Sequence, residues 1–186
     1  MRNIILSDEQ QKVIKFAKTG KNILVNACIG SGKTTTIQHL CNVLYNKKIL
    51  YLTYSRLLKL DAQDKIKYRN TTVNNYHGYG YCILKAIGVH VSTDDILNKF
   101  NELKPVLPKY DILILDEYQD INENIALMLE HIKHQSGDNL QIVAVGDMDQ
   151  KIYNSTRLDV KQFIQKFLGN HEKLTFHTCY RLSAKY

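Results

Sequence analysis

Residues 22–34 constrain the fold of this chain more than any other stretch. A short apolar run, Asn22-Ile23-Leu24-Val25-Asn26, empties into Ala27-Cys28-Ile29-Gly30-Ser31-Gly32-Lys33-Thr34, and a helical pattern follows from Lys33 to Tyr45. A strand, a glycine-rich turn and a helix in that order favour a parallel sheet, because the helix carries the chain back to begin the next strand alongside. The alternation continues downstream. Runs at Ile49–Thr53, Thr71–Asn74, Asp111–Leu115, Gln141–Val145 and Lys173–Phe176 predict further strands. Patterns near Asp8–Lys18, Arg56–Ile66, His77–Ile87, Asp94–Leu103, Asn122–His134 and Leu158–Phe167 predict helices. Several strands are near-continuously apolar, as strands covered on both faces are. The expectation is an α/β fold: a mostly parallel sheet with helices on both faces, over residues 1–186 as one domain.

Size and composition agree. A chain of 186 residues is about one domain and buries enough surface to need no metal or disulfide staple. No apolar run approaches the ~20 residues of a membrane span, and the N-terminus lacks the apolar core of a signal peptide. No membrane partner and no secretion are therefore expected. The four cysteines (Cys28, Cys41, Cys82, Cys179) are scattered without a C-x-x-C pair. Free thiols in a reducing compartment, cytoplasm or nucleus, are the expectation, with a single disulfide left open. The formal charge of +7 is uneven: residues 1–93 hold 14 Lys+Arg against 4 Asp+Glu, and residues 94–186 hold 11 against 14. A basic half suits a polyanionic partner, but charge alone favours a lysine-rich solvated surface.

The turn after the first strand has the chemistry of a phosphate loop. Anion binding needs consecutive backbone N–H groups turned inward, and Gly30 and Gly32 fall where a side chain would block that approach. Lys33 is placed to reach β/γ-phosphates, and the Thr34 hydroxyl to ligate Mg²⁺. Downstream, Asp111–Leu115 runs into Asp116-Glu117-Tyr118-Gln119-Asp120. An acid at the end of a parallel strand can hold Mg²⁺, the role expected of Asp116. Glu117 can polarise a water attacking the γ-phosphate, so the pair implies hydrolysis. Asp120 has a second reading, since Asp120-Ile121-Asn122-Glu123 also forms a capping-box pattern. The strand Gln141–Val145 ends in Gly146-Asp147-Met148-Asp149-Gln150-Lys151-Ile152-Tyr153, in which Gln150 is a candidate γ-phosphate sensor.

In this order and spacing the blocks resemble the UvrD/Rep-like superfamily 1 DNA helicases, and specifically their first, N-terminal RecA-like P-loop ATPase domain. The resemblance runs from Leu6 to Ser183 and implies ATP and Mg²⁺ as cofactors, with Ala27 to Thr35 cradling the nucleotide. Leu6-Ser7-Asp8-Glu9-Gln10 is similar to the family's glutamine motif, implying that Gln10 meets adenine. Ser7 and Gln10 also form a capping box, and both readings stand. Cys179-Tyr180-Arg181-Leu182-Ser183 is similar to the block whose tyrosine stacks on adenine and whose arginine reaches the γ-phosphate. Leu52-Thr53-Tyr54-Ser55-Arg56 and Asn75-Tyr76-His77-Gly78-Tyr79 resemble the segments that touch single-stranded DNA, which implies contacts from Tyr54, Ser55, Tyr76 and His77, with Tyr153 a further one. Catalytic roles then fall to Lys33, Asp116, Glu117, Gln150 and Arg181.

The chain departs from the family pattern in several places. Ala27 stands where glycine is usual, Thr35 where arginine is frequent, and Asn154-Ser155-Thr156-Arg157 lacks the family's second aromatic platform. Residues 177–186 lead toward a second RecA-like motor domain expected in cis or in trans. The expectation is thus an ATP-driven translocase on single-stranded DNA, inactive as a helicase alone. The alternative is a nucleotide-dependent module that binds single-stranded DNA or protein without moving. A small-molecule P-loop kinase would leave DEYQD and GDMDQ without a role. The basic first half is attributed to the phosphate loop and the two DNA-contact segments it contains.

Overall fold

The computed structural model describes residues 5–28, 31–66, 68–150 and 157–177. Strands β1 (Asn22–Ala27), β2 (Ile49–Thr53), β3 (Thr71–Asn75), β4 (Ile112–Asp116), β5 (Gln141–Gly146) and β6 (His171–Phe176) form one sheet in the order β3-β2-β4-β5-β1-β6. Every neighbouring pair is parallel. The helices are α1 (Asp8–Lys18), α2 (Lys33–Val43), α3 (Arg56–Lys65), α4 (Tyr76–Ala86), α5 (Ile96–Leu103), α6 (Glu123–Ser136) and α7 (Val160–Leu168).

The period of two along each strand explains the continuous apolar runs. In β4, Ile112 and Ile114 join Ile23, Val25, Tyr51 and Val143 in a layer covered by α1, α2 and α3. Leu113 and Leu115 point the other way, into a layer with Phe100, Met128, Leu129 and Phe167 under α4 to α7. Each fully buried aliphatic contributes about 1.5–3 kcal/mol of transfer free energy. The expected α/β fold with helices on both faces is what the chain forms.

Boundaries differ at informative places. β6 starts at His171, before the expected Lys173, because its ladder with β1 begins at Asn22↔His171. This edge strand carries His171, Glu172 and Lys173, so its apolar pattern starts late. β4 runs one residue further than its apolar letters, and Asp116 pairs with Val145 inside the ladder. Asp94–Leu103 divides into a 3₁₀ turn, Thr93–Asp95, and then α5. Among the described residues no helix is long and apolar enough to cross a membrane. Among the described residues Cys41 and Cys82 form no disulfide, and burial pushes the Cys41 thiol up to about 12; Cys179 lies outside the described residues.

Candidate nucleotide site at the carboxyl edge of the sheet

β4, β5 and β1 lie side by side, so their carboxyl ends bring Asp116, Asp147 and the loop after Ala27 to one edge. Asp116 continues the Ile112–Ile114 face and therefore points toward α2, whose first residue is Lys33. Its carboxylate is fully buried. Tyr51 Oη donates to its Oδ2 at 3.0 Å and the Glu117 amide to its Oδ1 at 2.9 Å. Lys33 Nζ stands 3.7 Å from Asp116 Oδ1 and pairs directly with Glu117. Burial pushes the Asp116 carboxyl above the usual carboxylate range; the Lys33 cation opposes this, and the Glu117 anion adds to it.

Glu117 has φ 55°, in the left-handed region that residues with a Cβ seldom occupy. This reversal turns its carboxylate back toward α2, where one oxygen meets Lys33 and the other accepts from Gln119 Nε2. Gln119 Oε1 in turn accepts from the Asp147 amide at 3.0 Å. The chain Lys33–Glu117–Gln119–Asp147 thus joins loops from three strands. Gly146 makes the junction possible: a Cβ there would stand 2.7 Å from Tyr118 Cδ1 and nearer still to Gln119 Oε1.

The loop itself is assembled for an anion. Gly32 precedes α2 with φ 81°, a conformation glycine adopts without strain. Ser31 is buried and its Oγ has no partner among the described residues, which leaves a donor for a bound oxyanion beside the α2 N-terminus and the Lys33 ammonium. Gln10 forms the capping box with Ser7 (2.9 and 3.2 Å) and also donates from Nε2 to the Gly32 carbonyl at 3.1 Å. It is a strut between α1 and the loop. Ala27 is buried, while Cys28, Thr34 and Thr35 are half-buried. No three His, Cys, Asp or Glu among the described residues group to enclose a metal. Asp116 and Thr34 suit an Mg²⁺ that takes its remaining ligands from substrate oxygens and water.

Other expected residues fall in several places. Tyr54 is half exposed, at 51%, and Ser55 caps α3 by accepting from the Leu58 amide. Thr53 pairs with Asn75, so Tyr54 and the exposed His77 follow neighbouring strand ends at this same edge. The structure corrects Tyr76: it is 1% exposed, among the largest fully buried side chains, and cannot stack on a base without leaving the core. Asp120 is likewise not the cap of α6, because Asn122 Oδ1 accepts from the Ile125 amide at 2.9 Å. Gln150 closes a 3₁₀ turn, Met148–Gln150, beyond β5. Ile29, Gly30, Tyr153, Tyr180 and Arg181 lie outside the described residues. Two contributors escaped the sequence reading. Tyr51 was signalled only by a phenol in an otherwise aliphatic strand, and Gln119 only by its place within DEYQD.

The AAA domain family pattern matches residues 10–156. The chain is 26% identical to a subunit of the ATP-dependent helicase/nuclease of Clostridium acetobutylicum, over 86% of this chain and 13% of that protein. It is 27% identical to a DNA helicase II homolog of Mycoplasma capricolum, over 96% of this chain and 24% of the relative. It therefore spans a quarter or less of these relatives' length. The fold is similar to a Pif1 helicase from Bacteroides crystallised with ADP-AlF3 and ssDNA, with a TM-score of 0.59, 16% identity, 96% of this chain covered and 43% of that one. The chain belongs to the AAA domain family, and the relatives it matches over most of its own length are named as helicases.

Proposed function

We propose that this domain binds and hydrolyses ATP with Mg²⁺ and couples the cycle to movement along single-stranded DNA, together with a second RecA-like domain. The observation that carries the reading is the Lys33–Glu117–Gln119–Asp147 network, with Asp116 buried against it. In the roles proposed here, Lys33 takes the charge of the β/γ-phosphates. Thr34 and Asp116 hold Mg²⁺, which when bound neutralises charge on the phosphate oxygens. Glu117 accepts the proton of the attacking water. In the structure both Glu117 oxygens are engaged, one by Lys33. Phosphates compete for that lysine and so release the base where hydrolysis needs it.

Gln150, Tyr180 and Arg181 complete the nucleotide contacts in this reading, Arg181 as the forked cation suited to transition-state phosphate oxygens. Tyr54, Ser55, His77 and Tyr153 form the DNA track. Lys33→Ala is expected to abolish Mg²⁺·ATP binding measured by calorimetry. Unchanged affinity would overturn the reading.

A further inference from the structure

We propose that the amino edge of the sheet, opposite the site above, is a second binding surface for single-stranded nucleic acid. Three loops meet there and feed β2, β3 and β4, which are neighbours in the sheet. The first carries Tyr45, Lys47 and Lys48, the second Tyr68 and Arg69, and the third Lys109 and Tyr110. They are tied into one body. Asn70 Nδ2 donates to the carbonyls of Leu44 and Lys47 at 3.1 and 2.9 Å. Asp111 accepts from the Lys48 amide at 2.7 Å, and its own amide donates to the Lys48 carbonyl at 2.8 Å. The Lys48 ammonium lies 5.3 Å from the Tyr110 ring centroid.

Two features select the ligand. Tyr45 and Tyr68, from different loops, are 61% and 49% exposed, with ring centroids 5.4 Å apart and planes inclined by 33°. Both therefore present aromatic surface to solvent. In the same three loops Lys47, Lys48, Arg69 and Lys109 are exposed and enter no ion pair among the described residues. The acid of these loops, Asp111, is engaged by the Lys48 amide. Aromatic faces for bases beside unpaired cations for phosphates is the combination that holds single strands. A duplex keeps its base faces stacked inside and cannot use the tyrosines. The five residues of β2 separate this surface from the carboxyl edge by about 17 Å, so a strand here leaves the nucleotide site open.

The test is photocrosslinking of the chain to oligothymidine carrying 5-iodouracil, with the attachment sites mapped by mass spectrometry, alongside anisotropy titrations across salt. Crosslinks at Tyr45 and Tyr68 are expected. Tyr45→Ala with Tyr68→Ala should weaken binding about tenfold. Lys47→Glu with Arg69→Glu should flatten the salt dependence by about one unit of log–log slope for each phosphate no longer neutralised. Crosslinks found only at Tyr54 and its neighbours, undiminished affinity of the tyrosine variant, or equal affinity for blunt duplex would each overturn the proposal. Tyr54→Ala reports separately on the carboxyl-edge track, so failure of one surface is distinguishable from failure of the other.

Discussion

The two ends of one sheet handle charge in opposite ways. At the carboxyl edge Lys33, Asp116 and Glu117 are drawn together with little exposure, and a left-handed glutamate is held in place by its neighbours. At the amino edge Lys47, Lys48, Arg69 and Lys109 stand in water. Buried charges interact through a low dielectric and set each other's protonation, which suits bond-breaking chemistry. Exposed charges are screened over roughly 8–10 Å and act together on a polyanion. The contrast rests on a parallel sheet, in which all carboxyl ends share one edge and all amino ends the other, so each edge gathers its own set of loops from adjacent strands.

Substitutions can break this contrast. The largest effect is expected from Glu117→Gln, which keeps the shape of the side chain and removes the base. ATP hydrolysis should fall by about 10²–10⁴-fold, with nucleotide affinity in calorimetry little changed; an unaltered rate would remove Glu117 from the chemistry. Next is Gly146→Ala. Its methyl would crowd Tyr118 and Gln119 and should cost about 1–3 kcal/mol, read as a lower urea midpoint. An unshifted midpoint would show that the carboxyl edge is looser than its contacts imply.

Tyr51→Phe takes a donor from buried Asp116 and should cost about 1–3 kcal/mol at neutral pH. Here the sign of the pH dependence is diagnostic. The folded chain holds the Asp116 proton to higher pH than the unfolded chain, whose carboxyl titrates near 3.8. Its contribution to stability is therefore full below 3.8 and is lost as pH rises through the raised folded value. Tyr51→Phe should extend that loss to higher pH and Asp116→Asn should abolish it, both measured by denaturant melts across pH. A slope that Asp116→Asn leaves intact would assign it to another group, with Asp120, raised by burial and by Glu117, the next to examine.

Much of this was legible in the letters. Strands buried on both faces write themselves as apolar runs, so the elements around Asn22–Ala27 and Ile112–Asp116 could be found directly. The phosphate loop and the paired acids were legible because their chemistry needs particular residues at fixed local spacing. Tyr51 and Gln119 were not, because their partners are set by the register of β2 on β4 and by the loop after β5. Tyr54 and Tyr76 each directly follow a strand at this edge, yet one is half exposed and the other is in the core. The difference arises where the chain leaves each strand: Tyr54 precedes the Ser55 cap of α3, whereas Tyr76 is already the first residue of α4.

Charge gives the sharpest division. Sequence alone determined that the first half is basic, and it assigned the excess to nucleotide and DNA contacts near the phosphate loop. Tertiary structure decided that Lys47, Lys48 and Arg69 stand at the opposite edge, because they occupy loops that enter strands. Lys33, which opens the helix after β1, is the basic residue turned onto the acids. Local chemistry is written in neighbouring letters. Which end of the sheet a charge occupies depends on the direction in which the chain passes through it.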